Sequence, residues 1–192
     1  MFRRRPQIEI LTERLLLRLP EMRDHTAWVA LRKTSADFLR PWEPVRDTDQ
    51  HSRRAFRNRV YWAQRASDQG KGLPLLIFQR ADGVLVGGIT LDNIRKGPAQ
   101  SGTVGYWVGE AHTRQGYMRE ALEALVNHGF TRLGLSRIEA ATLPENSASR
   151  ALLEKTGFKY EGVAQSYLQI AGRWRTHVMY ANLRNDRRGR AD

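Results

Sequence analysis

The apolar and polar positions of the chain follow two periods, and each period predicts a kind of element. Alternation every second residue indicates strands, whereas apolar residues three and four apart indicate one face of a helix. The N-terminal half predicts a strand over residues 10–20, helices over 21–36 and 48–68, and strands over 72–80, 84–94 and 103–109. Pro41 and Pro44 prevent one continuous helix between the two predicted helices.

From Gly116 onward the apolar period lengthens to that of a helix. The predicted apolar face consists of Met118, Ala121, Leu122, Leu125, Val126, Phe130 and Leu133. Gly134 fits the left-handed residue that ends such a helix. The remaining predicted elements are a strand over residues 136–143, a helix over 145–157, and strands over 158–170 and 173–183. Asn146 is placed to cap the shorter helix, and Gly157 follows its end.

This order of elements predicts a mixed α/β (α+β) domain with a mostly antiparallel twisted sheet and helices on both faces. The strand, loop, helix and strand over residues 103–143 predict a parallel crossover, which determines where a ligand enters. We expect one domain over residues 1–183, followed by a basic, flexible tail over residues 184–192.

Composition excludes several functional classes. The chain has 192 residues and 41% hydrophobic residues, which suits one domain with a real core. It has no cysteine, so disulfides, thiolate metal sites and cysteine catalysis are excluded. The five histidines show no paired metal spacing, and we expect no metal site. The apolar runs are too short to cross a membrane, and no signal-peptide core follows the basic N-terminus, so we expect a cytoplasmic protein.

The net charge of +12 is unevenly distributed along the chain. Residues 1–72 carry 16 Lys and Arg against 9 Asp and Glu, whereas residues 73–181 carry 12 against 9. This basic surface favours a polyanionic partner, such as the ribosome, RNA or an anionic cofactor. A solvated Arg-rich surface explains the same numbers, and the sequence leaves both explanations open.

The stretch HTRQGYMREAL, residues 112–122, forms the entrance to the long predicted helix. The first N–H groups of a helix lack intrahelical partners and carry partial positive charge, so they stabilise an anion. Gly116 permits close approach of backbone and ligand, and Arg114 and Arg119 add charge. By itself the stretch fits an ordinary helix entrance or a seat for a phosphorylated cofactor.

The neighbouring stretches favour the cofactor seat. GYWVG (residues 105–109) precedes the entrance, and LPENSASRALLEKTGF (residues 143–158) follows it. Together they resemble the GNAT superfamily of N-acetyltransferases, which use acetyl-coenzyme A. The family's loop is commonly Gln/Arg-x-x-Gly-x-Gly/Ala, and this chain, aligned on Gly116, has Thr113 and Met118 at the outer positions. Because the donors are main-chain N–H groups, these departures do not remove the anion site.

A narrower resemblance covers roughly residues 10–180. It is carried by LTERLLLRL, FLRPWEPVRD, NSASRALLEKTGF and YLQIAGRWRTHV, which begin at residues 11, 38, 146 and 167. These stretches are similar to the RimJ/RimL branch of ribosomal-protein N-terminal acetyltransferases. The second and fourth are most like members that acetylate an N-terminal alanine of a small-subunit ribosomal protein. The resemblance implies a GNAT-like sheet with a splayed parallel strand pair.

The resemblance also implies which residues hold acetyl-coenzyme A. They are Tyr106, Trp107, Val108, Arg114, Gln115, Gly116, Tyr117, Met118, Arg119, Asn146 and Ser149. The strand and Asn146 would bond the pantetheine arm, and the loop with the helix N-terminus would hold the pyrophosphate. For Asn146, capping its own helix is an equally good explanation.

Catalysis would be attack of a neutral amine on the thioester, with loss of the coenzyme A thiolate. In this branch the serine three residues after the Asn, here Ser149, donates a proton or hydrogen bond to that thiolate. Many GNAT enzymes use a tyrosine where this chain has Leu153. A main-chain N–H of the Tyr106 strand would polarise the carbonyl group, and we therefore count Tyr106 as catalytic. The candidates for the general base are Glu43, Glu139 and Glu161.

The resemblance places the amine that accepts the acetyl group next to the PWEP loop, residues 41–44. We call this loop the acceptor-side loop. There Trp42 would stack on a peptide terminus or exclude water, although a loop anchored by Trp42 in the core is an open alternative. We count Glu43 among the catalytic candidates because it lies in the same loop, and we expect Tyr167 to line the acceptor cleft.

These observations predict an acetyl-coenzyme A-dependent N-acetyltransferase acting on a protein N-terminus, and the resemblance implies the N-terminal Ala of a ribosomal protein as its acceptor. An acetyltransferase for a small amine (an antibiotic, polyamine or amino acid) is the alternative. A basic RNA- or ribosome-binding module without catalysis is a third hypothesis, but it would need neither Asn146-x-x-Ser149 nor the loop at 114–119. We expect a monomer or a homodimer without membrane contact.

Overall fold

The computed structural model describes residues 8–185, in which eight strands form one sheet. The strands are β1 (Glu9–Leu11), β2 (Leu15–Arg18), β3 (Leu73–Gln79), β4 (Leu85–Arg95), β5 (Ser101–Val108), β6 (Arg137–Thr142), β7 (Lys159–Ile170) and β8 (Arg173–Leu183). The helices are α1 (His25–Thr34), α2 (Ala36–Leu39), α3 (Arg53–Asp68), α4 (Tyr117–Thr131) and α5 (Ser147–Lys155). Short 3₁₀ turns cover Met22–Asp24, Arg40–Trp42 and Glu110–His112.

The strand order is β1-β2-β3-β4-β5-β6-β8-β7, and all neighbours are antiparallel except β5 and β6. The predicted mixed α/β class, with a mostly antiparallel sheet and one parallel pair, is confirmed. The parallel pair is joined through α4, because strands that run the same way need a long crossover. The predicted crossover over residues 103–143 is therefore present.

Strand β3 shows how the sheet buries both of its faces. Leu75 and Ile77 belong to the main core, which also contains the apolar face of α4. Leu76 and Phe78 point to the other face, where they pack with Trp28 of α1 and with Phe56. Successive side chains of a strand point to opposite faces, so helices on both sides explain why β3 is apolar along almost its whole length.

The prediction of one strand over residues 10–20 is wrong. The chain turns at residues 12–14 into the antiparallel pair β1–β2, with Glu9 opposite Arg18. The Thr12 N–H donates to the Leu15 carbonyl at 2.9 Å and closes the turn. The alternation of apolar residues continues across this turn, which is why the pattern concealed it.

The helix ends follow the predicted signals. Gly134 and Gly157 both adopt left-handed φ values, +67° and +88°, after α4 and α5. Asn146 caps α5, because its Oδ1 accepts from the Ser149 N–H at 3.1 Å. None of the helices within residues 8–185 is long and apolar enough to cross a membrane. The predicted tail, from residue 186 onward, lies outside the described residues.

Candidate active site

The parallel strands β5 and β6 separate halfway along β5. Residues 101–104 of β5 pair with residues 137–140 of β6. The remaining residues of β5, from Gly105 to Val108, pair with β4 alone, while the end of β6 continues along β8. The main-chain groups on the β6 side of residues 105–108 thus lack a strand partner, and they are available to an extended ligand.

The loop after β5 is shaped as an anion seat. Arg114 and Gly116, the residue before α4, both have positive φ values, +59° and +81°. Alternating left-handed residues turn successive N–H groups to one side of the backbone, which makes a concave site for anions. The α4 N-terminus adds its free N–H groups to this site. The single glycine of the loop therefore occupies the position where the left-handed conformation adjoins the helix.

The turn between β1 and β2 supports this loop. Glu120, in the first turn of α4, accepts from Thr12 Oγ1 at 2.6 Å, from the Arg14 N–H at 2.9 Å and from Arg14 Nε at 2.7 Å. Burial raises the pKa of Glu120, but these hydrogen bonds outweigh it and hold the pKa below its usual value. Arg14 Nη1 also donates to the Gln115 carbonyl at 3.0 Å. The turn at residues 12–14, where the sequence predicted one continuous strand, thus provides the hydrogen bonds that hold the loop and the start of α4 in place.

Two of the predicted catalytic residues are in direct contact. The Tyr106 hydroxyl lies 2.9 Å from Ser149 Oγ, although 43 residues separate them in sequence. Burial raises the pKa of Tyr106 to about 12, and the hydrogen bond with Ser149 offsets only part of that rise. The phenol therefore stays protonated at neutral pH. Leu153, at the position where many GNAT enzymes have a tyrosine, is buried in the core.

A cleft of about 640 Å³ connects three features: the separated strands, the loop before α4, and the PWEP loop, which is the predicted acceptor-side loop. Its lining includes Trp42, Glu43, Tyr106, Trp107, Val108, Arg114, Gly116, Tyr117, Met118, Arg119, Asn146 and Ser149. All the predicted site residues are thus in one cleft except Gln115 and Tyr167. The Gln115 side chain donates to the Ala111 carbonyl at 2.9 Å. Tyr167 lies on β7, with its ring edge-on to His177 at 5.7 Å between centroids.

Glu43 forms an ion pair with a buried arginine of α1. Arg32 Nη1 donates to Glu43 Oε1 at 2.7 Å, Arg32 Nη2 binds the other carboxylate oxygen, and Arg46 Nε lies 3.3 Å from it. Burial raises the pKa of Glu43, but the hydrogen bonds and charge of Arg32 outweigh it, so the pKa lies below its usual value. A carboxylate held in its charged form in this way is a weak proton acceptor.

The Glu43 ion pair links the PWEP loop to strand β5 through Arg32. The Arg32 guanidinium lies over the Trp107 ring, 4.8 Å from its centroid. Trp107 in turn packs against Gly88 of β4, where an added Cβ would lie 2.6 Å from the indole nitrogen. The Glu43 carbonyl accepts from the Ala171 N–H at 2.9 Å, at the tip of the β7–β8 hairpin. The loop is therefore fixed from α1 and from the hairpin at the same residue.

The other two candidates for the general base lie away from the cleft lining. Arg137 Nε donates to Glu139 at 2.7 Å, and Arg137 Nη1 donates to Glu161 at 2.8 Å. The hydrogen bond from Arg137 lowers the pKa of Glu161. Both carboxylates are thus engaged in an ion-pair network on the sheet.

Sequence reasoning missed a face of α5 and the side chains around Trp42. Ala148, Ala151, Leu152 and Lys155 line the cleft, and so do Phe38, Leu39 and His112. The spacing of three, four and seven residues along α5 was a readable signal for one helix face. No comparable signal marked Arg32, because its partner lies eleven residues away in a loop. Among residues 8–185 no group of three or more His, Asp and Glu side chains is placed to hold a metal ion.

Comparison with known proteins agrees with this geometry. The acetyltransferase (GNAT) domain family matches residues 14–159. A [ribosomal protein uS5]-alanine N-acetyltransferase of Escherichia coli is 31% identical over 92% of this chain and 91% of its own length. A probable N-acetyltransferase of Bacillus subtilis, YjcK, is 32% identical over 86% of this chain and 92% of its own length.

A solved structure extends the agreement to three dimensions. Mycobacterium smegmatis RimJ in complex with CoA-disulfide superposes with a TM-score of 0.85 at 34% identity, covering 91% of this chain and 84% of that one. The resemblance stated from the sequence motifs, including its RimJ/RimL branch, is thereby confirmed, as is the predicted enzyme class, an acetyl-coenzyme A-dependent N-acetyltransferase. The chain belongs to the GNAT acetyltransferase family.

Proposed function

We propose that this enzyme transfers the acetyl group of acetyl-coenzyme A to the N-terminal α-amino group of a protein, most specifically an N-terminal alanine of a ribosomal protein. Support for the alanine comes from the E. coli relative, whose name states that acceptor. The observation that supports an α-amino group as the acceptor is the composition of the cleft. Among the described residues, Glu43 is the one carboxylate in its lining, and Arg32 holds it charged.

A cleft whose one carboxylate, Glu43, is a weak proton acceptor favours an amine that is already partly neutral. An N-terminal α-amine has a pKa of about 7.7–8.0, whereas a lysine-like amine has a pKa of about 10.4. At neutral pH the neutral fraction of the α-amine is therefore roughly two- to four-hundredfold larger. Water can remove the proton from the amine as it attacks. A polyamine or another strongly basic amine would need a stronger base than this carboxylate.

The residues of the cleft fit acetyl-coenzyme A as the donor substrate. The N–H groups around Gly116 and at the start of α4 suit its pyrophosphate. Arg114, Arg119 and Lys155 line the same cleft and add positive charge for its phosphates. The unpaired edge of residues 105–108 suits the amide groups of the pantetheine arm, to which Asn146 would add its amide N–H.

In the proposed mechanism, Ser149 and Tyr106 deliver a proton to the leaving sulfur, and their 2.9 Å contact supports a shared role. As the carbon–sulfur bond breaks, the Ser149 hydroxyl donates toward the thiolate, and the protonated Tyr106 hydroxyl donates to Ser149. The proton lost by the amine goes to solvent, and the pair regains one from solvent, so the balance of protons closes. Trp42 and Phe38 both line the cleft near the acceptor-side loop, where their aromatic side chains would exclude water from the amine.

The test compares acceptors directly. Thioester turnover is measured with peptides beginning with Ala, Ser or Met, and with spermidine and free lysine. We expect turnover with the Ala peptides and little with the small amines. Turnover restricted to the small amines would refute the proposal. Acetyl-coenzyme A should also raise the thermal unfolding temperature, as any ligand of the native state does, and no shift at saturating concentration would refute the binding assignment.

A further inference from the structure

A second cavity, of about 360 Å³, lies beside the acceptor-side loop. Trp42 and Glu43 line the active cleft, while Pro44 and Arg46, next in sequence, line this cavity. The residues before position 44 therefore line the active cleft, and those from position 44 onward line the second cavity. A polypeptide with its N-terminus in the cleft would carry its next residues across this loop.

Arg59 of α3 lines the second cavity and is a partly buried cation without a partner carboxylate in the described part of the chain. Its guanidinium lies over the Trp28 ring, 4.8 Å from the centroid. Burial, followed by the charges of Arg46 and Arg32, lowers its pKa to about 10. Glu43, the acidic group that acts on it, is already bound to Arg32 and Arg46. Buried charges in proteins are normally paired, so binding of an anion next to the Arg59 guanidinium would be favourable.

Two further features restrict the kind of anion. The Oε1 atom of Gln50 is buried at the wall of the cavity without a hydrogen-bond partner among the described residues, and a small rotation of its side chain would present it to an N–H donor in the cavity. Asp47 and Asp49 line the same cavity but are exposed. Two exposed carboxylates disfavour a ligand with many negative charges, such as RNA, far more than a ligand with one. A peptide segment with one acidic side chain offers a carboxylate to Arg59 and an N–H group to Gln50.

We propose that this cavity binds a Glu or Asp side chain of the acceptor polypeptide, a few residues after the N-terminus that is acetylated. The proposal rests on the proposed function and deepens it, because it makes the enzyme selective for acceptors that are acidic near their N-terminus. Arg59 is the specificity-determining residue, and its planar guanidinium suits bidentate recognition of a carboxylate.

The experiment moves one acidic residue along the acceptor. A set of octapeptides begins with Ala, is otherwise neutral, and carries Glu at one position from the second to the eighth, each paired with a Gln peptide. With the wild-type enzyme, Glu at one or two neighbouring positions should raise kcat/KM about tenfold over Gln, as expected for one charge-assisted hydrogen-bonded pair. Equal kcat/KM at every position would overturn the proposal without any variant being made.

Variants then test whether Arg59 is responsible. Arg59→Gln should remove the preference for Glu, so that each Glu peptide and its paired Gln peptide have equal kcat/KM. Arg57→Gln removes an exposed arginine two residues earlier in α3, so it should keep the preference. Arg59→Glu should prefer a Lys peptide at the same position. A preference that survives Arg59→Gln would refute the role of this cavity.

The controls separate this proposal from the proposed function. Uniform acetylation of all the Ala octapeptides would contradict the acidic subsite alone, whereas no acetylation of any octapeptide, with turnover of small amines, would contradict the proposed function itself. Competition by single-stranded RNA that requires Arg59 would identify a nucleic acid as the occupant and overturn the acidic-peptide proposal. Thermal unfolding with acetyl-coenzyme A confirms that each variant is folded and binds the donor.

Discussion

Replacing Glu43 by Gln tests whether this residue is a general base or a structural partner of Arg32. The side chains of Arg32 and Glu43 are 7% and 15% exposed, and the pair is bidentate. Removing one partner of a buried ion pair costs about 3–5 kcal/mol, because the other charge is left buried. Gln keeps one oxygen acceptor for the guanidinium, so we expect a smaller loss in the free energy of unfolding, about 2–3 kcal/mol.

Thermal and denaturant unfolding measure this loss. For a domain of this size, about 2–3 kcal/mol corresponds to a decrease of about 4–12 °C in Tm. The matched control is Asp37→Asn, which breaks the pair between Asp37 and Arg40, whose side chains are 90% and 72% exposed. Exposed pairs contribute little, so the control should leave Tm nearly unchanged. An equal Tm for Glu43→Gln and the wild type would refute the structural role.

The pH dependence has a definite sign. The pKa of Glu43 is lower in the folded than in the unfolded protein, so its stabilisation is fully present above the unfolded pKa of about 4.3. It is lost as pH falls through the folded pKa. The difference in unfolding free energy between wild type and Glu43→Gln should therefore be largest near neutral pH and decrease below about pH 4.3. A difference that grows with acidity would contradict the assignment.

Kinetics separate the two roles of Glu43. Loss of a general base lowers kcat by about 10²–10⁴ and changes the acidic limb of the pH–rate profile. Loss of a loop anchor mainly raises KM for the acceptor, because Trp42 is held less firmly. We expect a less than tenfold change in kcat and an unchanged profile. A hundredfold fall in kcat without a change in Tm would restore Glu43 as the base.

Substitutions at three residues of the cleft provide further tests. Ser149→Ala should lower kcat about a hundredfold while calorimetry shows nearly unchanged affinity for acetyl-coenzyme A, and equal activity would remove its assigned role. Gly116→Ala should cost about 1–2 kcal/mol of stability, because its φ of +81° is left-handed, and should also weaken acetyl-coenzyme A binding. Gly83→Ala, at φ +73° and open to solvent, should show the same loss of stability without the loss of binding. Asn146→Ala should cost about 1 kcal/mol of cap stability; Asn146→Asp should keep the cap yet bind the cofactor less tightly, and unchanged binding would leave Asn146 a cap alone.

The amino-acid sequence by itself determined most of the elements, the sheet class and the family. The apolar period, helix caps and glycines act within a few residues, so α4, α5 and their ends could be predicted from short segments. The motifs around Gly116 and Asn146 likewise predicted one cofactor cleft, because a strand, a loop and a helix N-terminus follow each other directly along the chain.

Only the tertiary structure decided which charged and hydroxyl groups meet. The Tyr106–Ser149 hydrogen bond, the Arg32–Glu43 ion pair and the lack of a carboxylate beside Arg59 within residues 8–185 all depend on how separate elements pack. The hydrophobic period specifies which face of an element is buried, but not which polar side chain lies opposite it on another element. The same limit explains the β1–β2 turn: one alternation continues through it, and pairing with β3 rather than the local pattern sets where the strand begins.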